Sequence, residues 1–209
     1  MCFLSDKKGK LLQKNTEKVD PRVRRTRQML QQSMHELLHE KDLSDINVQD
    51  ITARADLNRA TFYKHFLDKY DLLNAVISER FQAMLDARLP SESTLTAAHL
   101  NILIQTGYDC VSDFHGYCRG IRVHNEHSPI LQQVQQKIYQ VLLNWLQNVV
   151  LRSKLPANSP ENLALVISWM IAGPLLQSSF EQPQAAQQEV FRQLTTSVHK
   201  ALEEFLLEN

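Results

Sequence analysis

Two groups of side chains in this 209-residue chain have the types that metal chemistry needs. His35-Glu36-Leu37-Leu38-His39 matches H-E-x-x-H. On a helix its histidines stand four apart on one side, as zinc ligation requires, with Glu36 as general base. No third ligand follows at metallopeptidase spacing, Glu79 being a weak candidate, and Leu37 and Leu38 are needed for a helical core. The second group is Cys110, His115, Cys118, His124 and His127. Its residue types suit a soft metal, but C-x4-H-x2-C-x5-H-x2-H is no finger or knuckle spacing that we recognise. Cys110 and Cys118 suggest a thiol switch. Eight residues apart on a helix, they stand roughly 12 Å from each other along its axis, beyond the reach of a disulfide without unfolding. The expectation is a chain with no catalytic residue, no metal and no cofactor.

A third group reads differently. Within residues 47–66, Asn47 caps a short helix, VQDITARA, Asp56-Leu57 makes a tight turn, and Asn58 caps a second helix, RATFYKHF. Two short helices joined by so brief a turn form a helix-turn-helix, whose second helix lies in the major groove of DNA. Phe62 and Phe66 share the inner face of that helix, suited to packing on Leu37, Leu38 and Ile51. Ala60 and Lys64 fall on the outer face, flanked by Thr61 and Tyr63. That face is small, polar or cationic, as a groove-reading surface needs.

The elements that must hold this face are also legible. Pro21 with Asp20 as cap begins a helix whose apolar stripe runs through Val23, Leu30, Met34, Leu37 and Leu38. Asp68 caps a long helix reaching about Leu89, where Pro90 and Ser91 end it, and further helices are expected near 94–118, 129–153, 160–181 and 184–207. Only five glycines occur, none between Gly9 and Gly107, which excludes a sandwich or barrel of many short strands. No apolar run reaches the roughly 18 residues of a membrane span. The first residues, MCFLSDKKGK, lack a signal peptide's apolar stretch, and three scattered cysteines form no disulfide framework, so the cytoplasm is expected. Net charge is zero, but residues 1–30 carry nine Lys and Arg against three Asp and Glu, a pointer to a polyanion at that end. The expected organisation is a flexible basic arm over 1–20, a DNA-binding unit with its connector helix over 21–90, and a helical effector-binding and dimerisation unit over 91–209.

The run INVQDITARADLNRATFYKHFLDKYDLL resembles the DNA-binding domain of TetR-family transcriptional regulators over residues 22–73, most specifically in RATFYKHF followed by DKYDLL. The DKYDLL wording is similar to a Firmicutes-type C-terminal subgroup. The resemblance implies an all-α homodimer with an N-terminal three-helix DNA-binding domain and a C-terminal helical bundle for dimerisation and ligand binding. By position it places Asn58, Arg59, Ala60 and Lys64 toward base edges. Tyr63 and His65 fall at phosphate contacts, Asn47 and Gln49 at the backbone-contacting start of the second helix, and Lys69 at a DNA-binding cationic position at the start of the connector, where the helix N-terminus also favours an anion. Family members often carry Gly in the turn; here Asp56 stands there, and Asp tolerates the left-handed conformation better than most residues. Arg22, Arg24, Arg25 and Arg27 stand beside the expected DNA backbone.

In the second half, Tyr108, His115, Tyr117, Tyr139 and Trp145 are candidate ligand-binding residues for an apolar or amphipathic small effector. Stripes through Leu163, Val166, Ile167, Met170 and Ile171, then Val190, Phe191, Leu194, Val198, Leu202 and Phe205, suit a four-helix dimer interface. The expected function is a dimeric, ligand-responsive repressor acting at an inverted-repeat operator in double-stranded DNA. The alternatives are a zinc metallopeptidase built on His35 and His39, and a TetR-like protein-interaction module without DNA binding.

Overall fold

Local capping fixes the first four helices. The computed structural model describes residues 20–117, 129–153, 160–177 and 184–207. Helix α1 spans Pro21–Glu40, with the Asp20 carboxylate accepting from the Arg22 N–H at 2.8 Å. A 3-10 turn over Leu43–Asp45 leads to α2, Val48–Arg54, and then to α3, Arg59–Tyr63. Helix α4, Lys69–Asp86, is capped by Asp68, whose carboxylate accepts from the N–H groups of Tyr70 and Asp71. Four longer helices follow: α5 Ala97–Tyr117, α6 Pro129–Ser153, α7 Pro160–Gln177 and α8 Gln184–Leu207. The described residues are thus all-helical. Helix α5 starts later than expected because Thr96 caps it through the His99 N–H.

The connector α4 packs on α1 and also on α5 and α6, so one continuous apolar core runs from Leu30 to Leu202. Leu72, Leu73, Ile77 and Phe81 of α4 are fully buried in it. Two ion pairs, each at 2.7 Å, reach α5 from this segment: Arg80 of α4 with Asp113, and Arg88, just past the end of α4, with Asp109. Helices α5 and α6 approach closely at Gly107, where an added Cβ would stand 2.9 Å from Ile138. Helices α6 and α7 share the polar pair Gln135–Ser168, buried and hydrogen-bonded at 2.8 Å, as burial of such groups demands. Among the described residues no helix is long and apolar enough to cross a membrane.

Candidate nucleic-acid interface

The α2–α3 unit is built from reciprocal hydrogen bonds. The Asn47 side chain accepts from the Asp50 N–H at 3.0 Å, and Asp50 accepts from the Asn47 N–H at 2.9 Å, a complete capping box. The Lys41 ammonium, 2.8 Å from Asp50, holds that carboxyl below its ordinary range, helped by the Asn47 N–H. At the other end of α2, Asp56 adopts φ 52°, left-handed. The Leu57 N–H donates to Thr52 O at 2.9 Å and the Asp56 N–H to Ala53 O at 3.3 Å. These are the two bonds of a Schellman motif, so the aspartate where family members often carry glycine still closes the helix. Leu57 packs against the core just beyond it.

Asn58 then opens α3, its side-chain oxygen accepting from the Thr61 N–H at 2.7 Å and the Thr61 hydroxyl at 3.0 Å. Regular helix ends at Tyr63, shorter than the octapeptide expected. The chain continues in tighter turns, with the His65 and Phe66 N–H groups both donating to Phe62 O. Phe62 and Phe66 are buried with Leu37, Leu38 and Ile51. On the outside, Asn58, Arg59, Ala60, Tyr63 and Lys64 are exposed, Tyr63 by 52%, while Thr61 and His65 are half-buried. Asn47 and Gln49, at the start of α2, are exposed too, as are Arg22, Arg24 and Arg25 on the first turns of α1. The imidazole of His65 is lowered from its ordinary value by burial and by the charges of Arg27 and Lys64, so it favours the neutral form.

Two cations are placed differently from the others. The Arg27 guanidinium donates to His65 O at 2.8 Å and lies 4.2 Å over the Phe66 ring. The Lys69 ammonium donates to Leu43 O and Ile46 O at 2.8 Å each and to Ser44 O at 3.3 Å. Neither placement has a signature in the sequence, because its acceptors are backbone carbonyls. Leu67, 83% exposed beside them, likewise has no signature in the sequence.

The H-E-x-x-H residues lie on α1, with the rings of His35 and His39 4.7 Å apart, edge to face. Glu36 accepts from Gln32 at 2.8 Å and stands 3.9 Å from Arg54, while Leu37 and Leu38 are core. Among the described residues no group of three or more His, Cys, Asp or Glu could hold a metal ion. Cys118, His124 and His127 lie outside those residues. Cys110 is fully buried, and burial with Asp113 nearby pushes its thiol up to about 12, the opposite of a reactive thiol's environment.

Of the candidate ligand residues, Tyr108 and Tyr139 are half-buried against the core, and burial raises the Tyr108 phenol. Trp145 is buried, its indole N–H 3.3 Å from Ser93 Oγ, beside a cleft of about 230 Å³ that Leu85, Leu89 and Lys137 also line. The side chains of His115 and Tyr117 lie outside the described set.

These features define a helix-turn-helix head continuous with a helical body. Comparison with known proteins finds similarity to bacterial regulators in that head. Residues 34–76 match the family of bacterial regulatory proteins of the tetR type. Over 93 residues, 42% of this chain, the sequence is 36% identical to YxbF of Bacillus subtilis (strain 168), an uncharacterized HTH-type transcriptional regulator. That match spans about a quarter, 24%, of the relative's length. A tetR-family transcriptional regulator from Streptomyces coelicolor superposes with a TM-score of 0.54 at 18% identity, over 89% of this chain and 84% of that one. RolR, solved with resorcinol, superposes at 0.56 and 15% identity, over 85% of this chain and 87% of that one. Over residues 34–76 the head is similar to tetR-type bacterial regulatory proteins, and the solved structures share the fold of the chain.

Proposed function

We propose that this protein is a cytoplasmic, homodimeric repressor of transcription whose affinity for an inverted-repeat operator is set by a small effector. The observation that carries the reading is the split of α3: Phe62 and Phe66 point into the core while Arg59, Ala60, Tyr63 and Lys64 stand out from it. In this reading Asn58, Arg59, Ala60, Thr61 and Lys64 face base edges, while Asn47, Gln49, Tyr63 and His65 meet the phosphate backbone. Residues 21–90 act as the DNA-binding head and 91–209 as the effector and dimerisation body.

A short head reads too few base pairs alone to specify a genomic site, which favours a dimer. The apolar surface available for it is on α7 and α8. Ile167, Ile171, Leu194, Val198 and Leu202 are used up in the chain's own core. Leu165, Val166 and Trp169 remain 46%, 57% and 45% exposed, with Val190 at the edge. A second copy covering this face with its own would bury both. Two recognition helices would then enter successive major grooves, about 34 Å apart. An effector beside Tyr108, Tyr139 and Trp145 acts by favouring a dimer whose heads are wrongly spaced; binding both states equally would change nothing. RolR, solved with resorcinol, shows that a protein of this fold can carry a small aromatic ligand.

The test is selection of bound duplexes from a random pool, followed by titration of the enriched duplex against a random one. Lys64→Ala and Arg59→Ala each reduce discrimination by about 1–3 kcal/mol if they contact bases. Equal losses on both duplexes would move those residues to the phosphate backbone, and no enrichment at all would defeat the reading.

A further inference from the structure

The two cations drawn inward at the head have a common geometry that the family resemblance does not supply. Lys69 is the first residue of α4, where the helix dipole disfavours a positive charge. Its ammonium nonetheless sits among three converging carbonyls, those of Leu43, Ser44 and Ile46. An ammonium has three hydrogens, and these contacts account for all of them. The carbonyls belong to the 3-10 turn between α1 and α2, whose Leu43 and Ile46 side chains are themselves buried. The link joins residues 23 to 26 apart in sequence, fastening the segment that leaves α3 to the segment that enters α2. Arg27 fastens that same exit segment to α1, through His65 O and the Phe66 ring.

Helix α3 has five residues, too few to hold a direction by its own hydrogen bonds. Its angle must be imposed from its flanks. We propose that Lys69, seconded by Arg27, is a positioning residue that sets the angle of α3 by gripping backbone carbonyls, and is not a phosphate ligand. The inference rests on the DNA-binding reading above and deepens it: Lys69 governs discrimination between sequences through the angle of α3, while exposed cations away from the base edges, such as Arg22, Arg24 and Arg25, govern attraction to any duplex. It also gives the two cations chemically different requirements. Three carbonyls around one point suit an ammonium; a planar guanidinium cannot serve all three.

The experiment compares Lys69→Arg and Lys69→Met with the wild-type full chain. The probes are a duplex enriched by the wild type and a random duplex, titrated across a range of salt. Positioning predicts that both variants lose about tenfold or more on the enriched duplex, the scale of a charge-assisted bond. On the random duplex both change by less than about twofold and keep the salt slope. If Lys69→Arg binds like wild type, or Lys69→Met weakens both duplexes alike and flattens the slope by about 0.9, Lys69 is a phosphate ligand and the inference is overturned. A second measurement needs no DNA. Amide hydrogen exchange over residues 43–48 should quicken in both Lys69 variants, and over 62–68 in Arg27→Met; unchanged rates overturn the inference. Should the wild type enrich no duplex, the proposed function fails, and the exchange rates alone decide whether the grip exists.

Discussion

Asn58 offers a perturbation that separates the shape of α3 from its chemistry. Its side-chain oxygen accepts from the Thr61 N–H at 2.7 Å and from the Thr61 hydroxyl at 3.0 Å. Replacing Asn58 with Ala leaves that N–H without its partner at the first turn of a helix of only five residues. Loss of such a cap costs about 1 kcal/mol, which for a chain of this size lowers the melting temperature by roughly 2–4 °C. Asn58→Asp keeps an oxygen of equal capping strength, so its melting temperature stays within about 1 °C of wild type. It adds a negative charge to the face proposed to meet the polyanionic duplex, so its DNA affinity should fall nonetheless. Thermal unfolding by circular dichroism reads the first effect and fluorescence anisotropy with a labelled duplex reads the second. If the aspartate variant melts as low as the alanine variant, or the alanine variant melts like wild type, the cap does not hold α3 and the reasoning fails.

Asp56 should be replaceable by Gly with little loss, since its φ of 52° is left-handed. Asp56→Val at the same place should cost at least about 1 kcal/mol by chemical denaturation, a β-branched residue being strained there. Stability should fall on mild acidification. His35 is lowered by burial and by His39 and Arg80, and His65 by burial and by Arg27 and Lys64. Both therefore hold a proton more readily unfolded than folded. Stability is intact above the ordinary value of 6.5 and is lost as pH falls through the lowered values. Urea midpoints measured across that window should drop, and the drop should shrink in a His35→Gln, His65→Gln double variant. Trp169→Glu, on the exposed face of α7, should yield a monomer by light scattering with little change in helix content; an unaltered mass would place the dimer contact elsewhere.

The head was legible in sequence because its signals are local. Asp20, Asn47, Asn58 and Asp68 each cap through a bond two or three residues away, and such contacts are written into adjacent letters. Phe62 and Phe66 were readable for the same reason, four-residue spacing being a property of one helix. What was not legible depends on distance. Nothing in the letters around Lys69 says that its ammonium meets carbonyls 23 to 26 residues upstream, because every residue has a carbonyl. Helix α7 hid its outer face differently. Leu163, Leu165, Val166, Ile167, Trp169, Met170 and Ile171 surround the helix, so periodicity could not tell the side packed on α6 from the exposed side. The H-E-x-x-H match shows the converse: four-residue spacing of histidines arises readily on a helix, and only surroundings make it a site.

The central claim, that the outer face of α3 reads DNA, is tested most directly by photo-crosslinking from that face. A benzophenone-bearing side chain at Ala60 in the full chain, incubated with a duplex enriched by the wild type, should crosslink to bases within a half-site, with a control at Gln82 on α4 leaving the DNA unlabelled. Crosslinking at Gln82 but not at Ala60, or none from either position while the duplex remains bound, would contradict the account.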